Sequence, residues 1–226
     1  MPSLRRHQLV RLNDAGWGSI LQHPWDAQAL ACLTHWSTHG LPLVVTRQSA
    51  AERHEGAIAL GLPAPLHWGK RRLTLQAAQA DVLGFDEFPQ LLQVRPLLAV
   101  RADAALHDLA CALDTCGAKA RVFGSYGWQA ITGMPFVHPA SDLDLCIAVD
   151  GIAQADAVAL ALASCAAPLP RLDGELAFDS GASVAWREWL EWRSGRARAV
   201  LVKHLSTVTL EHGTDWCAHA GAEVVQ

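Results

Sequence analysis

The sequence predicts an α+β fold with α/β character, in which helices pack on a mixed sheet. Apolar residues recur at helical spacing between Asp103 and Cys116. After them, short apolar runs of strand length alternate with helical segments almost to the end of the chain. Such alternation is typical of helices layered on a sheet. The first half carries fewer periodic segments and predicts a smaller α+β region.

With 226 residues, the chain is long enough for one large or two small domains. Between residues 81 and 101 it contains two prolines and no clear hydrophobic period. We therefore predict a boundary in this segment, which separates an N-terminal region over residues 1–100 from a C-terminal domain over residues 101–226.

Composition excludes several classes of protein. Lys and Arg number 18 against 22 Asp and Glu, and the net charge of −4 argues against general nucleic-acid binding. No apolar run approaches the roughly 18 residues of a membrane helix, and no signal peptide is expected at the N-terminus. The six cysteines form no CxxC pair, so we expect no zinc site and a reducing, cytoplasmic location.

In the first half, two segments predict strands and one predicts loops. The segments "LPLVVTR" (41–47) and "KRRLTLQA" (70–77) carry short apolar runs of strand length. Between them, "AAERHEGAIALGLPAPLHWG" (50–69) is rich in glycine and proline, which predicts turns and loops.

The second half predicts a regular succession of helices and strands. A helix over 103–116 ends at Gly117. The elements that follow are a strand over 119–124, a loop or short helix over 125–140, a strand over 141–150, an alanine-rich helix over 151–165, a strand within 169–186 with a turn at Ser180–Gly181, a short helix over 187–195, and strands over 199–205 and 207–211.

Two aspartates open a strand that should be buried. In "SDLDL" (141–145), Asp142 and Asp144 point to one face and the leucines to the other. Carboxylates roughly 7 Å apart repel each other and lose solvation when buried, and a cation between them offsets both costs. Mg²⁺ combines a few carboxylate oxygens with substrate phosphates. The pair therefore indicates a magnesium site for phosphoryl chemistry; the alternative is an exposed strand start with two solvated acids.

A glycine and a serine precede this strand and add to the pattern. Gly124 lets the backbone approach a ligand, and the turn that it forms with Ser125 can cradle a phosphate. Downstream, Asp173 and Glu175 share one face of another predicted strand. A strand ending in Gly-Ser, then alternating aspartates, then a later acid is the pattern of the nucleotidyltransferase fold related to DNA polymerase beta.

The segments around these motifs resemble one family over most of the chain. They are "FGSYGWQAITG" (123–133), "SDLDL" (141–145), "RLDGELAF" (171–178), "VAWREW" (184–189) and "VLVK" (200–203), with "PLVVTR" (42–47) and "GLPAPLHWGKRR" (61–72) in the first half. Together they resemble the malonate decarboxylase holo-[acyl-carrier-protein] synthases, also called phosphoribosyl-dephospho-CoA transferases or MdcG proteins. The resemblance implies a nucleotidyltransferase core with a mixed sheet, and a smaller N-terminal α+β region.

The resemblance also implies a transferase reaction. The donor would be 2′-(5″-triphosphoribosyl)-3′-dephospho-CoA, and the acceptor would be a serine of the apo acyl carrier subunit of malonate decarboxylase. A phosphodiester would form, and pyrophosphate would be released. Residues 1–100 would then bind substrate or carrier, and residues 101–226 would be the catalytic domain. Neither a nucleic acid nor a membrane is an expected partner.

On the family pattern, Asp142 and Asp144 are expected to bind Mg²⁺. Asp173 is expected as the third acid, either as a metal ligand or as the general base toward the acceptor serine. Glu175 is the alternative for that role, because it shares the same face of the strand. A polar turn between short strands would explain the last two acids without any catalytic role.

Further residues are candidates for holding the donor. They are Gly124, Ser125, Trp128, Gln129, Lys70, Arg71, Arg72 and Lys203. Core packing is the alternative for Trp128, and a solvated strand end is the alternative for the "GKRR" cations. Lys203 interrupts an apolar run, where a lysine pairs with a carboxylate or a phosphate. Basic segments over 4–11 and 193–198 could dock an acidic carrier protein.

Two other functions fit the same motifs. Another Mg²⁺-dependent nucleotidyltransferase would adenylylate a small molecule or a protein, and it would differ in its donor. A non-catalytic module would only bind a nucleotide, and the loss of one metal acid would favour it. The chain keeps all of these acids.

Overall fold

The structure is a computed structural model that describes residues 4–49, 56–165 and 168–217. It divides into two compact units, and the chain passes from the first to the second between Phe88 and Pro89. The first unit also includes Ile131–Phe136. The division comes earlier than the predicted boundary near residue 100, because Leu91 and Val94 are buried in the core of the second unit.

The first unit is built on an antiparallel sheet with the strand order β4-β3-β2-β1-β5. Its elements are β1 (Leu9–Leu12), α1 (Asp14–Leu21), α2 (Ala27–Thr38), β2 (Leu43–Val45), β3 (Ala57–Pro63), β4 (Arg72–Ala78) and β5 (Val82–Asp86). The Asn13 side chain accepts a hydrogen bond from the Gly16 N–H at 2.8 Å, and Asp26 accepts one from the Ala29 N–H at 2.9 Å. Each of these side chains therefore caps the N-terminus of a helix.

The prediction of loops over 50–69 is wrong for its middle part, where strand β3 lies. The inner residues of β3 are buried on both faces, so the strand shows no alternation of apolar and polar residues. A Cβ atom at Gly61 would lie 2.8 Å from Cγ2 of Thr46, so glycine allows a close approach here. Pro63 is the last residue of the strand. Glycine and proline thus fit this strand, although their density predicts turns.

The second unit carries a mixed sheet with the strand order β11-β10-β9-β8-β7-β6. Its strands are β6 (Ala120–Val122), β7 (Leu143–Val149), β8 (Leu172–Phe178), β9 (Ser183–Ala185), β10 (Val200–Lys203) and β11 (Val208–Glu211). The helices in this part of the chain are α3 (Asp103–Thr115), α4 (Gly124–Thr132), α5 (Ile152–Ser164) and α6 (Trp186–Arg193). β7 and β8 pair in parallel, and the other described neighbours pair antiparallel. The predicted α+β class is confirmed.

The core of the second unit lies on one face of this sheet. Alternate residues of β7, from Leu143 to Val149, are buried there with the apolar stripes of α3 and α5. On the other face, Asp144 and Cys146 are half-buried and Ala148 is exposed. β7 therefore presents one face to the core and keeps the other for polar groups, as the alternation in the sequence predicts.

The predicted elements of the second half agree with the structure, apart from their ends. The predicted strand over 119–124 is shorter, since β6 ends at Val122 and Gly124 already begins α4. The predicted strand within 169–186 is divided into β8 and β9 by a turn that includes Ser180–Gly181. Throughout the described ranges, no helix has the length and apolar character that crossing a membrane requires.

Candidate active site

The predicted acids Asp142, Asp144 and Asp173 lie at one end of the mixed sheet. Asp142 immediately precedes β7, and Asp144 is the second residue of that strand. The parallel register pairs Asp144 with Asp173 of β8. Because residues opposite each other in a sheet share a face, the structure places these carboxylates on the face away from the core.

Gly124 lies directly against one of these carboxylates. Its φ is +61°, and a Cβ atom at this position would lie 1.9 Å from Oδ2 of Asp144. Glycine is therefore required both for the backbone conformation and for the close approach. Helix α4 begins at Gly124 and Ser125 follows. The first N–H groups of a helix have no partner within that helix, and they favour a negatively charged ligand.

Arg171 is the residue at this site that the sequence argument missed. Its Nε and Nη2 atoms donate to the two carboxylate oxygens of Asp142, at 3.0 and 2.7 Å. Nη2 also donates to Oδ2 of Asp173 at 3.3 Å. A single guanidinium thus joins two of the three acids. Arg171 stands two residues before Asp173, and the same alternation that pairs the aspartates would have placed it on their face.

The charges at the site stabilise one another. The hydrogen bonds from Arg171 lower the pKa of the Asp142 carboxyl, and the positive charges of Arg171 and Arg187 add to that effect. In turn, the hydrogen bond to Asp142 raises the pKa of the Arg171 guanidinium, with further contributions from the charges of Asp173 and Asp144. The Arg171 side chain is 61% exposed, so water and salt screen these interactions.

Glu175 and Lys203 pair with each other. Lys203 Nζ lies 2.7 Å from Oε1 of Glu175, and the hydroxyl of Ser183 donates to Oε2 at 2.9 Å. The Glu175 side chain is buried, at 8% exposure. Both of its oxygens therefore have protein partners. Both oxygens of Asp173 also have partners, Arg171 and the Gly174 N–H, but its side chain is 41% exposed, and this exposure favours Asp173 over Glu175 as the third acid. The pair with Glu175 gives Lys203 the carboxylate partner that a lysine in an apolar run requires.

Trp128 and Gln129 lie in α4, and Gln129 supports the loop that leads to β7. Trp128 is buried. Oε1 of Gln129 accepts a hydrogen bond from the Val137 N–H at 2.8 Å. Further along, the Ser141 hydroxyl accepts one from the His138 N–H at 3.0 Å. These contacts fix the approach of the chain to Asp142.

The predicted cations Lys70, Arg71 and Arg72 belong to the first unit. Arg72 begins β4, and Lys70 has a φ of +50° in the turn before it. Arg71 forms an exposed ion pair with Asp26. The assignment of these cations to the donor remains a prediction.

Arg171 lines two cavities within the second unit, and one of them also has an acid of the site in its wall. The larger, of about 620 Å³, also has Asp142, Tyr126 and His138 in its wall. The smaller, of about 460 Å³, has Arg187 and Arg196 in its wall and an apolar side that includes Trp186. Cavities of this size are typical of sites for small molecules and cofactors.

The donor set at the sheet end suits magnesium in its chemistry, because all three groups are carboxylates. Within the described ranges, however, no group of three or more His, Cys, Asp or Glu residues is arranged so that it could hold a metal ion. The guanidinium of Arg171 supplies the positive charge that Asp142 and Asp173 share. A metal ion at these acids would therefore compete with the Arg171 guanidinium for Asp142 and Asp173.

Family models match almost the whole chain. Residues 5–88 match a model described as the N-terminal domain of the phosphoribosyl-dephospho-CoA transferase MdcG, and residues 90–213 match the model of its C-terminal domain. No solved structure matches the chain significantly.

Relatives named phosphoribosyl-dephospho-CoA transferase are similar over most of their length. The protein of Xanthomonas campestris pv. campestris strain 8004 is 39% identical over 172 residues, which are 76% of this chain and 78% of the relative. That of Xanthomonas euvesicatoria pv. vesicatoria is 36% identical over 88% of this chain and 89% of its own. That of Bradyrhizobium diazoefficiens is 33% identical over 91% of this chain and 88% of its own.

Proposed function

The chain belongs to the MdcG family of phosphoribosyl-dephospho-CoA transferases, and on that basis we propose that it attaches a prosthetic group to a carrier protein. The donor is 2′-(5″-triphosphoribosyl)-3′-dephospho-CoA, and the acceptor is a serine of the apo acyl carrier subunit of malonate decarboxylase. The serine oxygen bonds to the phosphorus next to the ribose, and the bond from that phosphorus to the next phosphate breaks. The products are the phosphodiester-linked carrier and pyrophosphate.

The observation that carries this proposal is the arrangement of acids at the sheet end. Asp144 and Asp173 are register partners, and Asp142 lies one alternation before Asp144. Gly124 keeps the start of α4 against Asp144. The start of α4 offers N–H groups to phosphates, and the carboxylates beside it offer oxygens to a cation. A nucleotidyltransferase site needs both.

Asp142, Asp144 and Asp173 would hold Mg²⁺ once Arg171 has left them. When bound, the ion supplies positive charge opposite the triphosphate and the departing pyrophosphate. Ser125 and the first N–H groups of α4 orient the phosphates. Asp173 accepts the proton of the attacking serine, because its side chain is 41% exposed, whereas that of Glu175 is 8% exposed and paired with Lys203.

Mass spectrometry of the purified apo carrier subunit tests the proposal. After incubation with this protein, Mg²⁺ and the donor, we expect a mass gain that corresponds to the phosphoribosyl-dephospho-CoA group, with release of pyrophosphate. Asp142→Asn should lower the initial rate by at least about a hundredfold. The amide is a weaker ligand than the carboxylate, so less Mg²⁺ is held opposite the triphosphate. Asp173→Asn should do the same, whereas Glu175→Gln should keep most of the rate at a temperature where the variant is folded.

Asp103→Asn is the matched control, because Asp103 also pairs with an arginine, Arg95, through two hydrogen bonds, and it lies outside the acid cluster. Its rate should equal that of the wild type. An unmodified carrier, in a preparation that a homologous transferase does modify, would overturn the proposed donor and acceptor. A mass gain from ATP instead would indicate an adenylylating enzyme.

A further inference from the structure

Arg171 occupies the oxygens that a metal ion would need. We propose that Arg171 exchanges partners during the reaction cycle. In the free protein its guanidinium holds Asp142 and Asp173; when a divalent cation takes these carboxylates, the guanidinium binds phosphate oxygens of the donor. Since the identity of that donor is itself proposed above, the inference deepens the proposed function and names a further donor-binding residue.

The hydrogen bonds of Arg171 place it in competition with a cation. Both carboxylate oxygens of Asp142 accept from Arg171, and one oxygen of Asp173 accepts from the same nitrogen, Nη2. A cation that binds these oxygens competes with the guanidinium, because the two positive charges repel each other at contact distance. The cation therefore weakens the hold of Arg171 on Asp142.

The backbone at Arg171 is fixed, and its side chain can move. The Arg171 carbonyl accepts a hydrogen bond from the Leu143 N–H at 2.9 Å, which ties it to the start of β7. The guanidinium end, in contrast, lies on a side chain that is 61% exposed. An exposed side chain can adopt other staggered rotamers, so once its hydrogen bonds to Asp142 and Asp173 are replaced, the head group can turn without disturbing the sheet.

A displaced Arg171 can turn toward an anion in the cavities that it lines. It lines both the cavity that contains Asp142 and the smaller cavity that contains Arg187 and Arg196. Glu191 also lines the smaller cavity and offsets the charge of Arg196 through two hydrogen bonds, so the positive charge that a bound anion would offset comes from Arg187 and Arg171. The planar fork of arginine binds phosphate oxygens in pairs, so a polyphosphate is the anion that fits. Cation and donor should therefore each favour the binding of the other.

Equilibrium binding of Mn²⁺ to the whole chain gives the first measurement. The free Mn²⁺ ion is counted by its electron paramagnetic resonance signal, without donor and without carrier. Arg171→Gln should bind Mn²⁺ about tenfold more tightly than the wild type, because the competing cation is gone. Arg171→Lys, which keeps the charge and loses the fork, should fall between them. Arg95→Gln should match the wild type, since Arg95 forms a comparable exposed pair with Asp103.

Binding of the donor at saturating Mn²⁺ gives the second measurement, made by calorimetry without carrier so that no transfer occurs. Here Arg171→Gln should bind about tenfold more weakly than the wild type, and Arg95→Gln should again be unchanged. Inorganic tripolyphosphate serves as a second probe, because it contains the phosphates without the nucleotide. Loss of affinity for both probes shows that the contact is made to the polyphosphate.

Opposite effects on the two affinities are the signature of an exchange. If Arg171→Gln binds Mn²⁺ more tightly and the donor equally well, Arg171 only neutralises the acids and the proposal is overturned. It is also overturned if Mn²⁺ affinity is unchanged or reduced. The carrier assay is independent of these results. Suppose that Arg171→Gln binds Mn²⁺ more tightly and tripolyphosphate more weakly, but the wild type does not modify the carrier. That result would support the exchange and reject the proposed donor.

Discussion

At the residue scale, the site depends on two residues, Gly124 and Arg171, whose contacts another side chain would not reproduce. Gly124 faces Asp144 with a bare Cα, and Arg171 holds Asp142 and Asp173 through three hydrogen bonds. The aspartates could be found from the sequence, because alternation places them on one face. The partner of Arg171 could not be found from the sequence, because an arginine at that position could equally face solvent, a phosphate or an acid.

Gly124→Ala should lower the carrier-modification rate by roughly a hundredfold, because the new Cβ displaces the Asp144 carboxylate from its position. Gly133→Ala is a suitable control, since Gly133 has a φ of +70° and nothing within 4 Å of the position of a Cβ. Both variants should lose about 1–2 kcal/mol of unfolding free energy from the left-handed backbone conformation. Equal modification rates in the two variants would show that the approach of Gly124 to Asp144 is not needed for transfer.

At the element scale, the parallel pairing of β7 and β8 brings the third acid to the first two. The sequence predicts both strands, but neither their neighbour relation nor their direction, because alternation within a strand carries no information about its partner. The helices α1 and α2 were not predicted, although the sequence carries signals for α2. Asp26 caps its N-terminus, and its buried residues Ala29, Cys32, Leu33 and Trp36 are spaced at i, i+3, i+4 and i+7, as on one face of a helix. In the shorter α1, only Gly16, Trp17 and Ile20 are buried, which is too few positions for a clear period.

Gly174 fixes this parallel register. Its φ is +133°, and a Cβ atom there would lie 1.9 Å from the Leu145 carbonyl oxygen on β7. Gly174→Ala should therefore force the two strands apart and lower the free energy of unfolding by roughly 3 kcal/mol in urea titrations. Gly181→Ala, at a φ of +80° with open space around the Cβ position, should cost only about 1–2 kcal/mol. A Gly174→Ala variant as stable as Gly181→Ala would mean that the sheet accommodates the methyl group.

At the scale of the whole molecule, arginine–carboxylate pairs recur in both units and link stability to pH. The pKa of the Asp26 carboxyl is lowered chiefly by the Ala29 N–H and then by Arg71. Hydrogen bonds from Arg171 lower the pKa of Asp142, and those from Arg196 lower the pKa of Glu191. These carboxyls titrate at lower pH in the folded chain than in the unfolded one. Their contribution to stability is therefore complete above their ordinary pKa values, at about pH 5, and it is lost as the pH falls below about 4.

The urea midpoint of the wild type should consequently fall between about pH 5 and pH 3, and the fall should be smaller in 1 M NaCl, which screens exposed pairs. The triple variant Arg71→Gln, Arg171→Gln, Arg196→Gln should show a shallower fall. Some decline must remain in that variant, because Asp26 keeps its hydrogen bond from the Ala29 N–H. Circular dichroism at each pH provides the measurement. If the triple variant declines as steeply as the wild type, these three ion pairs do not carry the acid sensitivity, and other carboxyls of the chain must do so.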